Sequence, residues 1–540
     1  MPDYNTEDLI TAGTFHKMMQ RYTKLISNPS AVAPHYDASS GRYDNLGDWF
    51  NVRRDGLVYG SKSPLFAYSP VTTAIKTDAN AGKVLEASTN AEAGRNDYIG
   101  IALFDCLRVN GGYDADGMPY VTAMEDYQAE GAPTFDPTEN TWIVRPVSYY
   151  KITRDSQYEK KEITDTPRDG FQACPGAYTP DGDLRPFILH ACYMDSDGAC
   201  SSKSGTVPAA NYSADVDNKA AHCLQNDFNW SRNRQDGLTY LSYADIWYQQ
   251  IMMEIMLGVK APREAAVGCV SYDLNYAVAQ AEDGVKRIIL SDANAANIEV
   301  GSAISIGDGT QTDRYYAAMH SIAKSAKVLS KESLGDGKTA LNLDLDATID
   351  VTSSAHVITM PWHNGSCDGV LGTFGAPTEA GLINGKFPFK FQNQEWQLGI
   401  YETVCDMYAK STVADGETTV TWYIAADVSE PTGINTGDGW DALDTQSVGN
   451  SGAWNYIKDY ATEKGARVPE NVGGTSTQGY RTAWYPAASS GNNELLVGGH
   501  LYNGAGAGVG CAGSYDAVSY AWWHIGGRSS GLGHSAPCAE

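Results

Sequence analysis

Several features that usually indicate a function are missing from this sequence of 540 residues. None of its ten cysteines belongs to a C-x-x-C pair, and their spacing does not match zinc ligands, so we predict no metal site. No apolar run approaches the roughly 18 residues needed to span a bilayer, which predicts no membrane insertion. The first residues, MPDYNTEDLI, show no secretory signal, so we expect synthesis in a cytoplasm where thiols stay reduced.

Long basic clusters are missing too. The chain has 39 Lys and Arg against 65 Asp and Glu, a formal net charge of −26, and no basic run exceeds a pair such as Lys160-Lys161. This balance disfavours nucleic acid and anionic membranes as partners. Nothing in the composition calls for a cofactor, and we predict none. High solubility, as in a part of a larger assembly, is the simplest account of the charge.

The composition is that of a globular, strand-rich chain, with 42% hydrophobic residues, 55 glycines and 33 tyrosines. Its length allows about two to four domains. We predict an α+β fold in three parts. They are an N-terminal helix and attachment segment at 1–50, a β-rich domain at 51–235, and a C-terminal domain at 236–540 with a small β-barrel insertion at about 286–352.

Two helices are predicted. Residues 14–26, TFHKMMQRYTKLI, place apolar side chains at helical spacing. TYLSYADIWYQQIMMEIMLGVK is the strongest helix pattern in the chain, with Ser242 as its expected N-terminal cap and Asp245 three residues later. Its methionines are expected to lie in the core rather than at a cofactor site.

Three motifs could indicate a chemical function, but each also has a simpler structural explanation. Residues 508–513 match G-x-G-x-x-G, but no helix pattern follows them, which disfavours dinucleotide binding. Asp114 and Asp195 each begin a D-x-D-G sequence that lacks the later ligands of a calcium loop, so tight turns are expected. His363 and Cys367 could form a thiol nucleophile and its base, but no third group is identifiable.

The segment 498–531, GGHLYNGAGAGVGCAGSYDAVSYAWWHIGGRSSG, favours binding. From 495 to 527 there is no Lys, Arg, Glu or Gln. Tyrosine offers a large contact area with few rotatable bonds, and small polar residues adapt around it. The alternative is that the aromatic residues are core, and if AVSYAWWHIGG is a strand, alternate residues face in and out. The predicted contact residues are His500, Tyr502, Asn503, Cys511, Gly513, Tyr515, Asp516, Tyr520 and His524.

A family resemblance covers about 239–531. The ordered segments YLSYADIWYQQIMMEI, VITMPWHNGSCDGVLGTFGAP, NGKFPFKFQNQEWQLGIYETVCD, RVPENVGGTSTQGY, LLVGG and HIGGRSSG resemble phage and prophage tail proteins. Those proteins end in a C-type-lectin domain of the formylglycine-generating-enzyme type. Within this group, the chain resembles the variable proteins of diversity-generating retroelements, of which the phage major tropism determinant is the familiar example.

The resemblance implies that adenine-specific errors diversify asparagine codons. All nine predicted contact residues are permitted products of such codons, whereas Trp522 and Trp523 are not. The resemblance therefore places both tryptophans, with Arg528, in the fixed scaffold. Two departures limit the match: Glu395 and Gly399 fit the family's central motif but its Arg and Asn are absent, and Ser529 follows Arg528 where the enzymes have Cys. Catalysis of the formylglycine type is therefore not expected.

The resemblance implies a receptor-binding protein of a phage tail tip or fibre, without enzymatic activity. It would be made in the bacterial cytoplasm, be carried in the virion and act outside the cell. Its expected partners are a host surface receptor, protein or glycan, and other tail proteins contacted through the N-terminal region, with a homotrimer as the expected form. Two alternatives remain open at this stage: a tailspike-like depolymerase that cleaves glycans, and a purely structural tail or decoration protein.

Overall fold

A computed structural model of the chain describes residues 33–65, 74–211, 221–234, 236–308 and 317–531. The helix predicted at 14–26 lies outside these residues. The described residues are 40% strand and 11% helix, arranged in several sheets with one nearly closed barrel, so the predicted α+β class is wrong and the fold is β-rich. The prediction gave too much weight to one strong helix pattern, since the described part holds four α-helices, of which only one exceeds ten residues.

The helices are α1 Leu46–Val52, α2 Leu224–Asn233, α3 Tyr243–Leu257 and α4 Asp292–Asn297. Short 3₁₀ turns lie at Ala102–Phe104, Pro262–Glu264, Ala317–His320, Ala380–Leu382 and Gly504–Gly506.

The strands of the N-terminal half are β1 Tyr36–Asp37, β2 Arg42–Tyr43, β3 Tyr59–Pro64, β4 Ile75–Asp78, β5 Leu107–Tyr113, β6 Pro119–Met124, β7 Thr141–Pro146, β8 Tyr149–Arg154, β9 Tyr158–Thr164, β10 Gln172–Ala173 and β11 Phe187–Ala191. They form two main antiparallel sheets, in the orders β10-β8-β9-β3-β4 and β11-β7-β5-β6. The segment TWIVRPVSYYKI forms β7 and β8, and all six residues of β7 are buried.

The next strands are β12 Leu238–Tyr240, β13 Asn275–Ala277, β14 Glu282–Val285, β15 Arg287–Ser291, β16 Ala303–Gly307, β17 Ala323–Gly335, β18 Lys338–Asp344, β19 Ile349–Val351 and β20 His356–Met360. Six of them form a sheet in the order β13-β20-β16-β17-β18-β15. Its two edges meet where the Ala279 amide donates to the Ile289 carbonyl at 2.8 Å, which makes a nearly closed barrel. The strands of this sheet extend beyond the predicted bounds 286–352 on both sides.

The last strands are β21 Phe374–Gly375, β22 Phe389–Phe391, β23 Gln394–Trp396, β24 Tyr401–Ala414, β25 Glu417–Ile424, β26 Asp441–Asn450, β27 Asn455–Glu463, β28 Ala466–Val472, β29 Ala483–Pro486, β30 Gly491–Gly498, β31 Ala512–Ser514, β32 Ile525–Gly526 and β33 Ser529–Gly531. The largest sheet has nine strands, in the order β26-β25-β24-β30-β31-β29-β27-β28, with β32 beside β24.

Helix α3 packs on this large sheet and confirms the predicted helix. The Ser242 hydroxyl accepts from the Ala244 amide at 3.1 Å, and Gly258 ends the helix in the left-handed conformation at φ 69°. Met252 and Met256 are buried in the main core with Trp422 and Trp484, so the methionine stripe is core as predicted.

Candidate ligand-binding surface

The segment 498–531 contributes three short strands to the sheets. After β30 it forms β31, which lies between β30 and β29; later it forms β32 in parallel with β24, and finally β33 beside β12. These short strands hold two connections, 499–511 and 515–524, whose ends are anchored in regular structure. Anchored loops of this kind are common positions for binding residues.

Three tyrosines on these connections are exposed. Tyr502 is 44% exposed, Tyr515 48% and Tyr520 37%. No other tyrosine in the described ranges is exposed to that extent. Among the tyrosines of the described ranges, the most exposed ones are therefore concentrated in a single segment.

Asn503 and Asp516 lie half-buried on the same connections. The Asn503 amide group is engaged with His500, since its Oδ1 accepts from the His500 backbone amide at 2.7 Å and its Nδ2 lies 3.0 Å from His500 Nε2. Burial raises the pKa of Asp516 to about 6. We call Tyr502, Asn503, Tyr515, Asp516 and Tyr520 the tyrosine surface.

The other four predicted contact residues, His500, Cys511, Gly513 and His524, are buried beneath this surface. Burial raises the pKa of the Cys511 thiol to about 12 and lowers the pKa of His524 to about 3. Cys511 therefore stays a thiol and His524 an uncharged imidazole at neutral pH. Both contribute to packing in this structure, and neither is exposed to a ligand.

A cluster of buried rings supports the tyrosine surface. His500 lies 4.9 Å from Tyr401 and 4.8 Å from His524, measured between ring centroids. The exposed ring of Tyr502 packs 4.0 Å from His500, and that of Tyr520 lies 6.3 Å from His524. Tyr502 and Tyr520 therefore both pack against the same buried cluster of rings.

Tyr401 is a member of this cluster that the sequence did not reveal. It begins β24, and its backbone amide donates to the His524 carbonyl at 2.9 Å. Burial raises the pKa of its phenol well above the usual range; the neighbouring Cys511 and Asp516 raise it further, and a hydrogen bond from Asn503 lowers it. The phenol of Tyr401 therefore lies close to three of the predicted contact residues, Cys511, Asp516 and Asn503. The only sequence signal was its position in GIYETVCD.

A second aromatic group was also missed. Trp454, Tyr485 and Tyr515 form a row with centroid distances of 5.0 and 5.3 Å. The Tyr485 hydroxyl donates to the Gly452 carbonyl at 2.7 Å, which fixes the middle ring. Tyr515 is the exposed end of this row, so its ring is held in place by contact with Tyr485.

The three scaffold residues differ in burial. Trp523 is 1% exposed and belongs to a core with Met360, Ile400 and Leu501, whereas Trp522 is half-buried and stacks on Tyr520 at 6.1 Å. Arg528 is fully buried. Its guanidinium donates to both Glu402 carboxylate oxygens at 2.7 and 3.0 Å and to the carbonyls of Ala191, Cys192 and Glu395.

The condition that AVSYAWWHIGG is a strand is not met for most of its length. Only β32 forms there. The Tyr520 amide donates to the Ala517 carbonyl at 2.8 Å in a turn, and the Val518 carbonyl accepts from the Gln225 amide at 2.7 Å. The alternation of small and aromatic residues therefore belongs to a turn that bonds to the start of α2, and it does not give alternate inward and outward faces.

The G-x-G-x-x-G match is not a nucleotide loop here. It runs directly into strand β31 rather than into a helix, so no helix N-terminus is available for a pyrophosphate. Gly508 and Gly510 have φ values of 132° and 95°, which strain any other residue. Local chain reversal accounts for these glycines.

His363 and Cys367 are not arranged as a base and a nucleophile. His363 Nε2 lies 2.8 Å from the Ser325 carbonyl, and the Cys367 amide donates to Glu395 Oε1 at 2.7 Å. Burial and the neighbouring Glu395 raise the pKa of the Cys367 thiol well above its usual range. This environment disfavours the thiolate that nucleophilic catalysis needs.

Both D-x-D-G sequences form turns, as predicted. Asp114 accepts from the amides of Asp116 and Met118, and Asp195 accepts from the amides of Gly198 and Ser201. Within the described ranges, no group of three or more His, Cys, Asp and Glu is placed to hold a metal ion, and the nine cysteines there are all buried and free of disulfides. Within the described ranges, none of the helices has the length and hydrophobicity that a bilayer-spanning segment requires.

Neither a comparison with models of protein families nor one with curated proteins gives a match to this chain.

Proposed function

We propose that this protein is a receptor-binding protein of a phage tail and that the tyrosine surface contacts the host receptor. The observation that carries the proposal is the exposure of Tyr502, Tyr515 and Tyr520 within one segment. Leaving three large rings in water sacrifices the free energy gained by burying them. Tyrosine-rich loops are typical of binding surfaces, because each ring gives a large contact area and has only two side-chain torsions to immobilise.

The support beneath the rings favours the same proposal. Tyr502 and Tyr520 stand on His500 and His524, and Tyr515 continues a row of rings fixed by Tyr485. A surface that is already ordered before contact loses less conformational entropy on binding. This arrangement suits a protein whose task is binding rather than catalysis.

We further propose that diversification acts on this surface. Its five residues are permitted products of diversified asparagine codons, whereas the buried His500, Cys511, Gly513 and His524 are constrained by packing. Sequencing around the gene tests this point. We expect a near-copy of the 3′ end that differs mainly at adenines, close to a reverse transcriptase gene. A complete genome without such a copy would contradict diversification and leave a receptor-binding protein of fixed sequence.

The proposal also places the protein in the virion as a homotrimer, bound to other tail proteins through its N-terminal region. Several copies on one particle would multiply a modest affinity through effective concentration. Native mass spectrometry of the full chain tests the trimer, and a monomer at micromolar concentration would contradict this part of the proposal.

Binding to host cells tests the function itself. The triple variant Tyr502→Ala/Tyr515→Ala/Tyr520→Ala removes the three exposed rings. We expect its affinity for host cells to fall at least about 100-fold, since truncation of central aromatic contacts typically has large effects. The readout is binding of fluorescently labelled purified protein to host cells, measured as a function of protein concentration.

The double variant Leu329→Ala/Leu334→Ala is the matched control. These leucines are 52% and 38% exposed on barrel strand β17, so the control also removes exposed apolar side chains. Equal binding by the triple variant and the wild type would contradict the proposal. So would steady release of oligosaccharide from host capsule by the purified protein, which would instead support a depolymerase.

A further inference from the structure

A small cavity lies between helix α3 and the segment that follows β30. Its wall comes from α3, from residues 396–402 and from residues 497–510. The cavity leaves about 20 Å³ for the centre of a water-sized molecule. A single buried water needs about 10–15 Å³ by this measure, so the cavity has room for a larger group. Gly498 and Gly510 are half-exposed and the rest of the wall is buried, so the two glycines form its mouth.

Three buried polar side chains line this cavity. Gln249 is 1% exposed, and Trp396 and Gln397 are each 4% exposed. Within the described ranges, no hydrogen bond is made by Gln249 Oε1, Gln249 Nε2, Trp396 Nε1 or Gln397 Oε1. Buried polar atoms of folded proteins almost always have a partner, because an unpaired one costs free energy. Four such atoms around one cavity therefore call for a bound group that completes their hydrogen bonds.

The chemistry of the wall selects a neutral group. The Glu402 carboxylate in the wall accepts from the Arg528 guanidinium at 2.7 and 3.0 Å, so its charge is compensated. The oxygens of Gln249 and Gln397 are acceptors, whereas Trp396 Nε1 and Gln249 Nε2 carry N–H donors. A cation would satisfy only the oxygens, and an anion only the N–H groups. A suitable ligand both donates and accepts.

We infer that this cavity, the amide pocket, binds a primary carboxamide on a short hydrocarbon stem, the group that ends the side chains of asparagine and glutamine. Its NH₂ group donates to the two glutamine oxygens, and its carbonyl oxygen accepts from the indole and amide N–H groups. Ile246, Val497 and Val509 belong to one buried apolar cluster with Trp396 and provide the contact for the stem. The inference goes beyond the proposed function and does not depend on it.

The backbone holds Gln397 in position at the amide pocket. Gln397 has a φ of 59°, a left-handed conformation that is strained for a residue with a side chain and is found mainly where the surroundings impose it. Its carbonyl accepts from the Cys269 amide at 2.9 Å. A Cβ atom on Gly498 would lie 2.8 Å from Gln397 Nε2. Gly498 therefore leaves the mouth open and the Gln397 side chain undisturbed.

Saturation-transfer NMR with acetamide and the purified full chain tests the inference. Acetamide is a very small ligand, so we expect a dissociation constant in the millimolar range. Gln249→Leu removes one donor and one acceptor from the wall and should weaken binding at least about tenfold, because it leaves both parts of the ligand unpaired. This variant should unfold at the same or a higher urea concentration than the wild type, since it removes two unpaired polar atoms from the core.

Gln250→Leu is the matched control. Gln250 is the next residue of α3, is also buried and does not line the amide pocket. We expect this variant to bind acetamide like the wild type. The triple tyrosine variant should do so too, so the tests of the amide pocket and of the proposed function fail separately. Equal binding of acetamide by Gln249→Leu and the wild type would overturn the inference.

A ligand series on the wild-type protein tests the chemistry without any substitution. N-methylacetamide has a single N–H and represents the N-acetyl group of a glycan, so we expect it to bind more weakly than acetamide. Acetate and methylammonium, an anion and a cation, should not bind. Absence of saturation transfer to acetamide, the result expected if ordered water fills the pocket, would overturn the inference. Tighter binding of N-methylacetamide, acetate or methylammonium than of acetamide would do so as well.

Discussion

At the scale of single residues, Asp516 lowers the stability of the fold that displays it. Its pKa is raised from 3.8 to about 6 in the folded chain. The folded state therefore holds the proton more tightly than the unfolded state does. The stability associated with the protonated carboxyl is present below pH 3.8 and is lost as the pH rises through about 6.

We therefore predict that Asp516→Asn stabilises the protein at pH 8 by about 2 kcal/mol and leaves its stability almost unchanged at pH 4. The measurement is urea unfolding followed by tryptophan fluorescence at both pH values. An equal effect at the two pH values would contradict the raised pKa.

Arg528 stabilises the fold, whereas Asp516 destabilises it, because the charge of Arg528 is fully paired. Arg528→Ala should destabilise the fold by about 3–5 kcal/mol, since it leaves the buried Glu402 carboxylate without its partner. Arg287→Ala, which breaks the more exposed pair with Glu282 on the barrel, should cost about 1 kcal/mol or less. Thermal unfolding of both variants checks the difference, and similar melting temperatures would contradict the assigned role of Arg528.

The sequence predicted the residue types of the surface better than their burial. Tyr502, Tyr515 and Tyr520 were recognised because tyrosine among small residues is typical of binding loops. In the sequence, His500 and His524 could not be distinguished from the tyrosines that turn out to be exposed. Both histidines are buried against Tyr401, which is about a hundred residues away in the chain. Contacts over such separations leave no local pattern in the sequence.

At the scale of elements, the base of the barrel supports the tyrosine surface. Met360 at the end of β20 shares a core with Trp523, which in turn packs 5.1 Å from His524. Met360→Ala should therefore destabilise the protein by about 2–5 kcal/mol through the cavity that it leaves. Leu329→Ala, on the exposed part of β17, should change stability by less than about 0.5 kcal/mol. Calorimetry checks both values, and a neutral Met360→Ala would contradict a shared core.

Helix α3 was predictable because its signals are local: the Ser242 cap, fourteen residues without Gly or Pro after Tyr243, and Gly258 at the end. The turn at 515–524 was not, because its hydrogen bonds go to Gln225 and to Asn493 on other elements. A pattern of period two predicts a strand only where a neighbouring strand is available to pair with it.

At the scale of the whole molecule, distant segments are joined through short pairings. Strand β12 pairs with β33, and Met194 forms a bridge with Arg528, so the last described residues are held by residues almost 300 or more positions earlier in the chain. Many of the strands that make the fold β-rich have only two or three residues. Such strands are stabilised by their partners and hardly affect the local composition.

We propose that this molecule presents the tyrosine surface to a host receptor. In a competition experiment, phage particles are added to host cells that have been saturated with purified protein, and adsorption is measured. We expect the wild-type protein to slow adsorption strongly and the triple variant Tyr502→Ala/Tyr515→Ala/Tyr520→Ala not to do so. Unchanged adsorption in the presence of saturating wild-type protein, or equal competition by the triple variant, would contradict it.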